Sequence, residues 1–219
     1  MYLTRFEINP ARRGAQRLLG SPQALHAAVL RGFPSRVTVD GSRVLWRIDR
    51  VAPRTWLYVV SPVPPDFEHL VEQAGWPTIN TSESRPYTPL LDSLEKGGRW
   101  AFRLRANPTR SSRVGNRERS QRLGHVTVAQ QLAWFVERVD AWGISLPTND
   151  HGPTVIVRER ETWRFKRKER QVTLSTATFE GELFVEEPER FRAALVAGIG
   201  PAKAYGCGLM TLAPNRRAP

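Results

Sequence analysis

One order of elements can be read twice along this chain: strand, helix, strand, strand, helix, strand. The first pass covers a strand at 2–8, a helix at 21–32, strands at 43–50 and 55–61, a helix at 66–74 and a weak strand near 86–92. The second covers a strand at 99–107, a helix at 127–141, strands near 154–162 and 171–185, a helix at 188–197 and a last strand at 209–212. Two consecutive β-α-β-β-α-β patterns predict an α+β protein of tandem ferredoxin-like domains. The domains are expected at 1–94 and 95–219, joined near Glu95-Lys96-Gly97-Gly98.

Local signals support each pass. Ser21 is a favourable helix N-cap and Pro22 a favourable first helical residue. The runs 43–48 and 55–60 are rich in β-branched and aromatic residues, as strands are. From 99 to 107 the alternation is clean: Trp100, Phe102, Leu104 and Ala106 share one face, Arg103, Arg105 and Asn107 the other. The tryptophans Trp46, Trp56, Trp100 and Trp134 read as core. Residues 110–122 carry Arg110, Arg113, Arg117, Arg119 and Arg122 against the single acid Glu118. That stretch reads as a mobile loop, either solvated or ordered by a partner.

Charge narrows the class of partner. The formal net charge is +12 over 219 residues, which points to a polyanion. Residues 1–94 hold 11 basic and 8 acidic side chains, while residues 95–219 hold 22 and 13. The excess therefore lies mainly in the second half. Arginine dominates over lysine, which favours bidentate contacts to phosphate and bases. A duplex-DNA binder is disfavoured, because neither a helix-turn-helix nor a zinc pattern is recognisable. One cysteine excludes an internal disulfide, and Cys207 reads as a small filler. No pair of histidines has metal-ligand spacing, and neither a metal nor another cofactor is expected. The start Met1-Tyr2-Leu3-Thr4-Arg5-Phe6 reads as a strand, and no apolar run approaches membrane-spanning length, so a cytoplasmic protein without membrane contact is expected.

The segment 198–209 is the densest signal for a ligand. Gly198, Gly200, Gly206 and Gly208 surround Lys203, making a positively charged loop whose backbone N–H groups a ligand can approach closely. The order helix, glycine loop, strand is the reverse of a nucleotide-binding P-loop, and no Gly-Lys-Ser/Thr is present. The loop reads either as an anion or RNA-backbone site or as a flexible helix terminus.

Four histidines are candidates for chemistry. His69 sits among Asp66, Glu68 and Glu72 on a surface helix, and His125 and His151 lie in polar loops. His26 lies inside a short helix whose apolar positions are Leu25, Val29 and Leu30. Read from those surroundings alone, such a histidine is more often structural than catalytic.

The ending GIGPAKAYGCGLMTLAP, the strand RWAFRLRANPTR at 99–110 and the lone histidine in SPQALHAAVLRGFP together resemble the CasE family. These are the CRISPR-RNA-processing endoribonucleases of the type I-E Cascade complex, within the repeat-associated RNA-binding superfamily. The resemblance runs over essentially the whole chain and is weakest at 60–95 and 110–125. It implies the same duplicated fold, a catalytic role for His26, and CRISPR repeat RNA, mature CRISPR RNA and other Cascade subunits as partners.

The implied chemistry suits histidine. RNA carries its own nucleophile, the 2′-OH beside each phosphodiester, so cleavage needs no metal. Histidine, with an ordinary pKa of ~6.5, can take the 2′-OH proton or give one to the leaving 5′-oxygen. The products are a 2′,3′-cyclic phosphate and a 5′-OH. Some members place a tyrosine three residues before the histidine, where this chain has Gln23. Glutamine hydrogen-bonds but exchanges no proton near neutral pH, so Lys203 or an arginine is expected to stabilise the reacting phosphate.

The run 155–170 is the second constellation. If extended, Arg158, Arg160, Arg164, Lys166, Lys168 and Arg170 would lie on one face, an approximate one because a turn must interrupt the run, and Arg167 is a further RNA-binding candidate. The resemblance implies a basic segment here that grips the repeat hairpin, with Trp163 or Phe165 available to stack on a base. Arg103 and Arg105 are expected to face the RNA as well. The rival to an endoribonuclease is a non-catalytic RNA-binding subunit of the same kind of ribonucleoprotein.

Overall fold

The computed structural model describes the chain except residues 35–42, 80, 113–120, 151, 168–169 and 215–219. It is a mixed α+β structure that divides into two compact units. The first comprises Met1–Ser93 with Leu195–Gly198 and Lys203–Leu209; the second comprises Leu94–Ala194 with Ile199–Ala202 and the segment from Met210. Lys203 and the two glycines after it, expected with the second domain, therefore belong to the first unit.

In the first unit the elements run β1 (Tyr2–Ile8), α1 (Arg13–Leu19), α2 (Pro22–Arg31), β2 (Leu45–Val51), β3 (Arg54–Ser61), α3 (Glu68–Ala74), β4 (Ser82–Pro86) and α4 (Thr88–Asp92). The sheet order is β2-β3-β1-β4, all antiparallel. Phe6 and Ile8 of β1, Trp46 and Ile48 of β2, and Leu57 and Val59 of β3 meet Leu18, Leu25, Val29 and Leu70 from the helices, and Phe67 from the α3 N-cap, in one core. The alternation in β1 and β3 produces this one-sided burial directly. Ser21 caps α2, its hydroxyl accepting a 3.2 Å hydrogen bond from the Ala24 N–H.

Two elements of this unit depart from the sequence reading. Helix α1 falls where none was expected: Arg12 at its N-cap makes no side-chain capping bond and only Ala15 and Leu18 are buried, too few to mark a period. Gly14 lets α1 approach α3 closely, since a Cβ there would lie 2.2 Å from the Gln73 carbonyl oxygen. The last strand is Ser82–Pro86, not 86–92. It is a polar edge strand, tied to β1 by a 2.8 Å hydroxyl pair between Thr4 and Ser84.

The second unit runs β5 (Arg99–Ala106), β6 (Thr109–Ser112), β7 (Gln121–Gly124), α5 (Val128–Val136), β8 (Ile144–Ser145), β9 (Thr148–Asn149), β10 (Gly152–Pro153), β11 (Val155–Arg167), β12 (Arg170–Val185), α6 (Pro188–Ala197) and β13 (Met210–Pro214). The main sheet order is β11-β12-β5-β13, with β8 pairing the far end of β12. Its core is aromatic: Phe135 of α5 lies 5.3 Å from Phe102 and 4.8 Å from Phe179, ring centroid to centroid. A Thr127–Gln130 capping box starts α5, which ends at Val136; Asp140–Trp142 follow as a 3-10 turn. The ends of the expected loop 110–122 pair as β6 and β7, and its centre lies outside the described residues.

No described helix is long and apolar enough to cross a membrane. Among the described residues no group of three or more His, Cys, Asp or Glu is placed to hold a metal ion.

Candidate functional site

His26 projects from the second turn of α2 in the first unit. Trp46, on β2 beneath that helix, donates its indole N–H to His26 Nδ1 at 3.2 Å. The two rings lie 25° from coplanar with centroids 6.5 Å apart. Burial lowers the His26 pKa below the ordinary value, because the protein replaces water that would solvate the imidazolium. The helix is braced from its other side: His69 of α3 donates from Nε2 to the Ala28 carbonyl at 2.9 Å. His69 is thus a structural tie, and His125 is partly buried just before the α5 cap; His151 lies outside the described residues.

The 3-10 turn Lys203–Tyr205 packs against α2 and β2. Lys203 is partly buried, and its pKa is lowered first by that burial and then by the Arg43 charge. Two cations held near each other in this way favour an anion between or beside them. Arg43 went unnoticed in the sequence, since only folding brings it to Lys203.

The glycines around this turn all take positive φ: 78° at Gly198, 75° at Gly200, 77° at Gly206 and 92° at Gly208. Gly206 shows why. A Cβ there would lie 2.6 Å from the Trp46 ring, so the bare backbone is what allows Trp46 to seat against this loop. Cys207 is fully buried. Below the sheet, Arg47 donates to the Leu209 carbonyl at 3.0 Å and fixes the end of the same segment. Trp46 and Trp134 are core as expected, whereas Trp56 is only partly buried, with Arg5 4.7 Å over its ring, and Trp100 is partly buried too.

The second unit carries the basic hairpin. Strands β11 and β12 pair from Val155 to Arg167, with a register shift between Val157 and Glu159 that leaves Arg158 as an extra residue. The single basic face expected from 158 to 170 is therefore broken at Arg158, because a bulge displaces the alternation by one. Beyond it Arg160 and Arg164 lie opposite Ala177 and Thr173, while Glu159 and Glu161 lie opposite Thr178 and Thr176. Arg158, Arg160 and Arg164 are exposed, and Arg160 donates to the Val126 carbonyl at 3.1 Å beside a polar cavity of about 280 Å³. Lys166 and Arg167 continue β11, opposite Gln171 and Arg170; Lys168 lies outside the described residues.

Arg103 and Arg105 sit elsewhere. Both lie on the opposite sheet face from Arg160 and Arg164, since Arg105 is level with Thr178 on β12. Arg105 is buried against Glu161 and donates to the Thr176 hydroxyl at 3.2 Å. Arg103 pairs with Glu180 at 3.1 Å and with Glu159 at 3.5 Å. Both charges serve ion pairs within the sheet, and neither arginine joins the exposed basic face of the hairpin.

Comparison with known proteins places this geometry. A family model described as CRISPR associated protein matches residues 1–214. The CRISPR-associated endoribonuclease Cse3 of Thermus thermophilus is 31% identical over 98% of this chain and 100% of its own. A structure of CRISPR endoribonuclease Cse3 bound to a 19-nucleotide RNA superposes with a TM-score of 0.83 at 31% identity, covering 98% of this chain and 100% of that one. Another, of Thermus thermophilus Cse3 bound to an RNA representing a pre-cleavage complex, gives 0.80 at 30% identity, with 97% and 98% covered. The chain belongs to the CasE/Cse3 family of CRISPR-associated proteins.

Proposed function

We propose that this chain is an endoribonuclease that recognises the CRISPR repeat stem-loop, cuts precursor CRISPR RNA without a metal ion, and stays bound to the product as a Cascade subunit. The observation that carries the reading is His26, held by a side-chain hydrogen bond on a capped helix, in a chain that aligns end to end with an endoribonuclease. The 2′-oxygen attacks the adjacent phosphorus, the bond to the 5′-oxygen breaks, and one proton leaves the 2′-OH while another reaches the departing oxygen. His26 performs one of these transfers. Lys203 and Arg43 stabilise the charge on the phosphorane that forms between them. The products carry a 2′,3′-cyclic phosphate and a 5′-OH.

Recognition rests on the hairpin, with Arg158, Arg160 and Arg164, together with Lys166, Arg167 and Lys168, contacting the stem phosphates and groove. Backbone N–H groups at Gly198, Gly200, Gly206 and Gly208 add phosphate contacts. The two units are ferredoxin-like domains, with the chain dividing between them near residue 94: each sheet has the first and third strands of its repeat at the centre and the second and fourth at the edges, which supports a duplicated fold. Incubating end-labelled repeat RNA with the protein in EDTA tests the activity. Cleavage at one position with a cyclic phosphate end is expected; binding without cleavage leaves a non-catalytic RNA-binding subunit.

A further inference from the structure

We infer that Trp46 is a positioning residue for His26: by donating to Nδ1 it holds the neutral ring as the tautomer protonated at Nε2. The inference rests on the reading of His26 as the proton-transfer residue. An indole N–H only donates, so the nitrogen it bonds must carry a lone pair. A neutral imidazole has one proton, and Trp46 thereby sends it to Nε2. Nothing on Trp46 can move away to release the ring cheaply. It is 3% exposed, and its indole is seated on the Gly206 backbone, where a Cβ would lie within 3.0 Å of three ring carbons.

The consequence is chemical. As a base at Nε2, the ring must first carry its own proton on Nδ1. As an acid, it must be protonated on both nitrogens. Either working state forfeits the Trp46 bond, so Trp46 sets how readily His26 takes a proton and which nitrogen faces outward. The charged and titratable groups on the elements around α2 are Arg13 and Arg17 of α1, Glu68, His69 and Glu72 of α3, Lys203 and Tyr205 of the 3-10 turn, and Arg43, Arg47 and Asp49 of the β2 segment. Glu68 and Glu72 are exposed, and no carboxylate raises the His26 pKa, whose shift comes from burial. Asp49 is taken up by Arg47 at 2.7 Å, and His69 by the Ala28 carbonyl.

Nitrogen-15 NMR of histidine-labelled full-length protein tests this, with His26 assigned by its loss in His26→Gln. In the unsubstituted protein the neutral His26 ring must show a bare Nδ1 and a protonated Nε2; the opposite tautomer overturns the proposal without any variant at Trp46. Trp46→Phe keeps an aromatic ring in the core and deletes the donor, together with part of the indole's packing on Gly206; the tautomer measured in the unsubstituted protein is independent of that packing loss. One hydrogen bond to the neutral form holds its protonation down by roughly 0.5–1 pH unit, so the His26 titration moves up by about that amount. The histidine limb of single-turnover cleavage moves with it, rising if the ring is a base and falling if it is an acid, while affinity for a 2′-deoxy, uncleavable repeat stays the same. An unmoved titration overturns the proposal. A titration that moves while the rate profile stays fixed also overturns it, and cleavage by His26→Ala then tells whether the catalytic reading has failed as well.

Discussion

The guanidinium of Arg47 and the carbonyl of Leu209 are joined by a 3.0 Å hydrogen bond. Arg47 is 1% exposed. Asp49, two residues on along the same strand, clasps it through both oxygens at 2.7 and 2.8 Å, and Tyr58 lies 5.6 Å beneath the charge. A buried arginine so satisfied ties the end of the glycine segment to β2, the strand that also carries Trp46.

Breaking this tie from one side is expected to be costly. Asp49→Ala leaves a buried cation without its carboxylate, a loss of about 3–5 kcal/mol. Urea denaturation measures it. Replacing Arg47 and Asp49 together with apolar residues of similar size is expected to cost much less, which separates the uncompensated charge from the effect of poorer packing.

Tyr87 links the same charge to pH. Burial raises its pKa above the ordinary tyrosine value, and the positive Arg47 opposes that rise without cancelling it. The unfolded chain ionises this phenol near pH ~10, before the folded protein does. Between those two values the folded state binds more protons, so stability falls as pH rises above that point. Tyr87→Phe removes this part of the alkaline loss. Denaturation midpoints of the two proteins, matched near neutral pH and compared above pH ~10, are expected to fall less steeply for the variant.

The hairpin and the sheet arginines should separate in one assay. Arg160→Ala with Arg164→Ala weakens repeat binding and flattens its salt dependence by roughly 0.7–0.9 in log–log slope for each phosphate left without its cation. Arg105→Ala instead lowers thermal stability, because Glu161 loses this ion pair and keeps neutral partners such as the Trp163 indole N–H, and leaves the salt slope in place. Equal salt slopes for all these variants would remove the hairpin from the interface.

Much of this architecture was legible in the sequence, for physical reasons that also explain the gaps. β1, β3 and β5 alternate because one face is core, and α2 begins at a serine–proline pair that is a strong cap. Helix α1 lacks a cap and contains a glycine, and β4 has a polar pattern whose partners lie on β1, so neither announces itself locally. The bulge at Arg158 depends on its pairing with β12 and leaves no mark in an otherwise regular basic run. His26 was legible only through resemblance, and Trp46 looked like one core tryptophan among several. Its bond to His26 spans 20 residues and exists only after folding.

Gly206 connects the loop to that bond. Gly206→Val places a branched side chain at φ 77° and into the Trp46 ring. Cleavage is expected to fall at least tenfold more than in Cys207→Ala, measured on protein whose circular dichroism is native. Equal rates in the two variants would make the loop a connector with no hold on the site.

Truncation of His26 decides whether this histidine moves the proton. Single-turnover cleavage of labelled repeat RNA by His26→Ala, with affinity measured in parallel on an uncleavable repeat, is expected to slow by ~10²–10⁴-fold while binding persists. Gln23→Ala should cost far less. A His26→Ala protein that cuts the repeat at the unsubstituted rate would leave His26 without a catalytic role and contradict the mechanism.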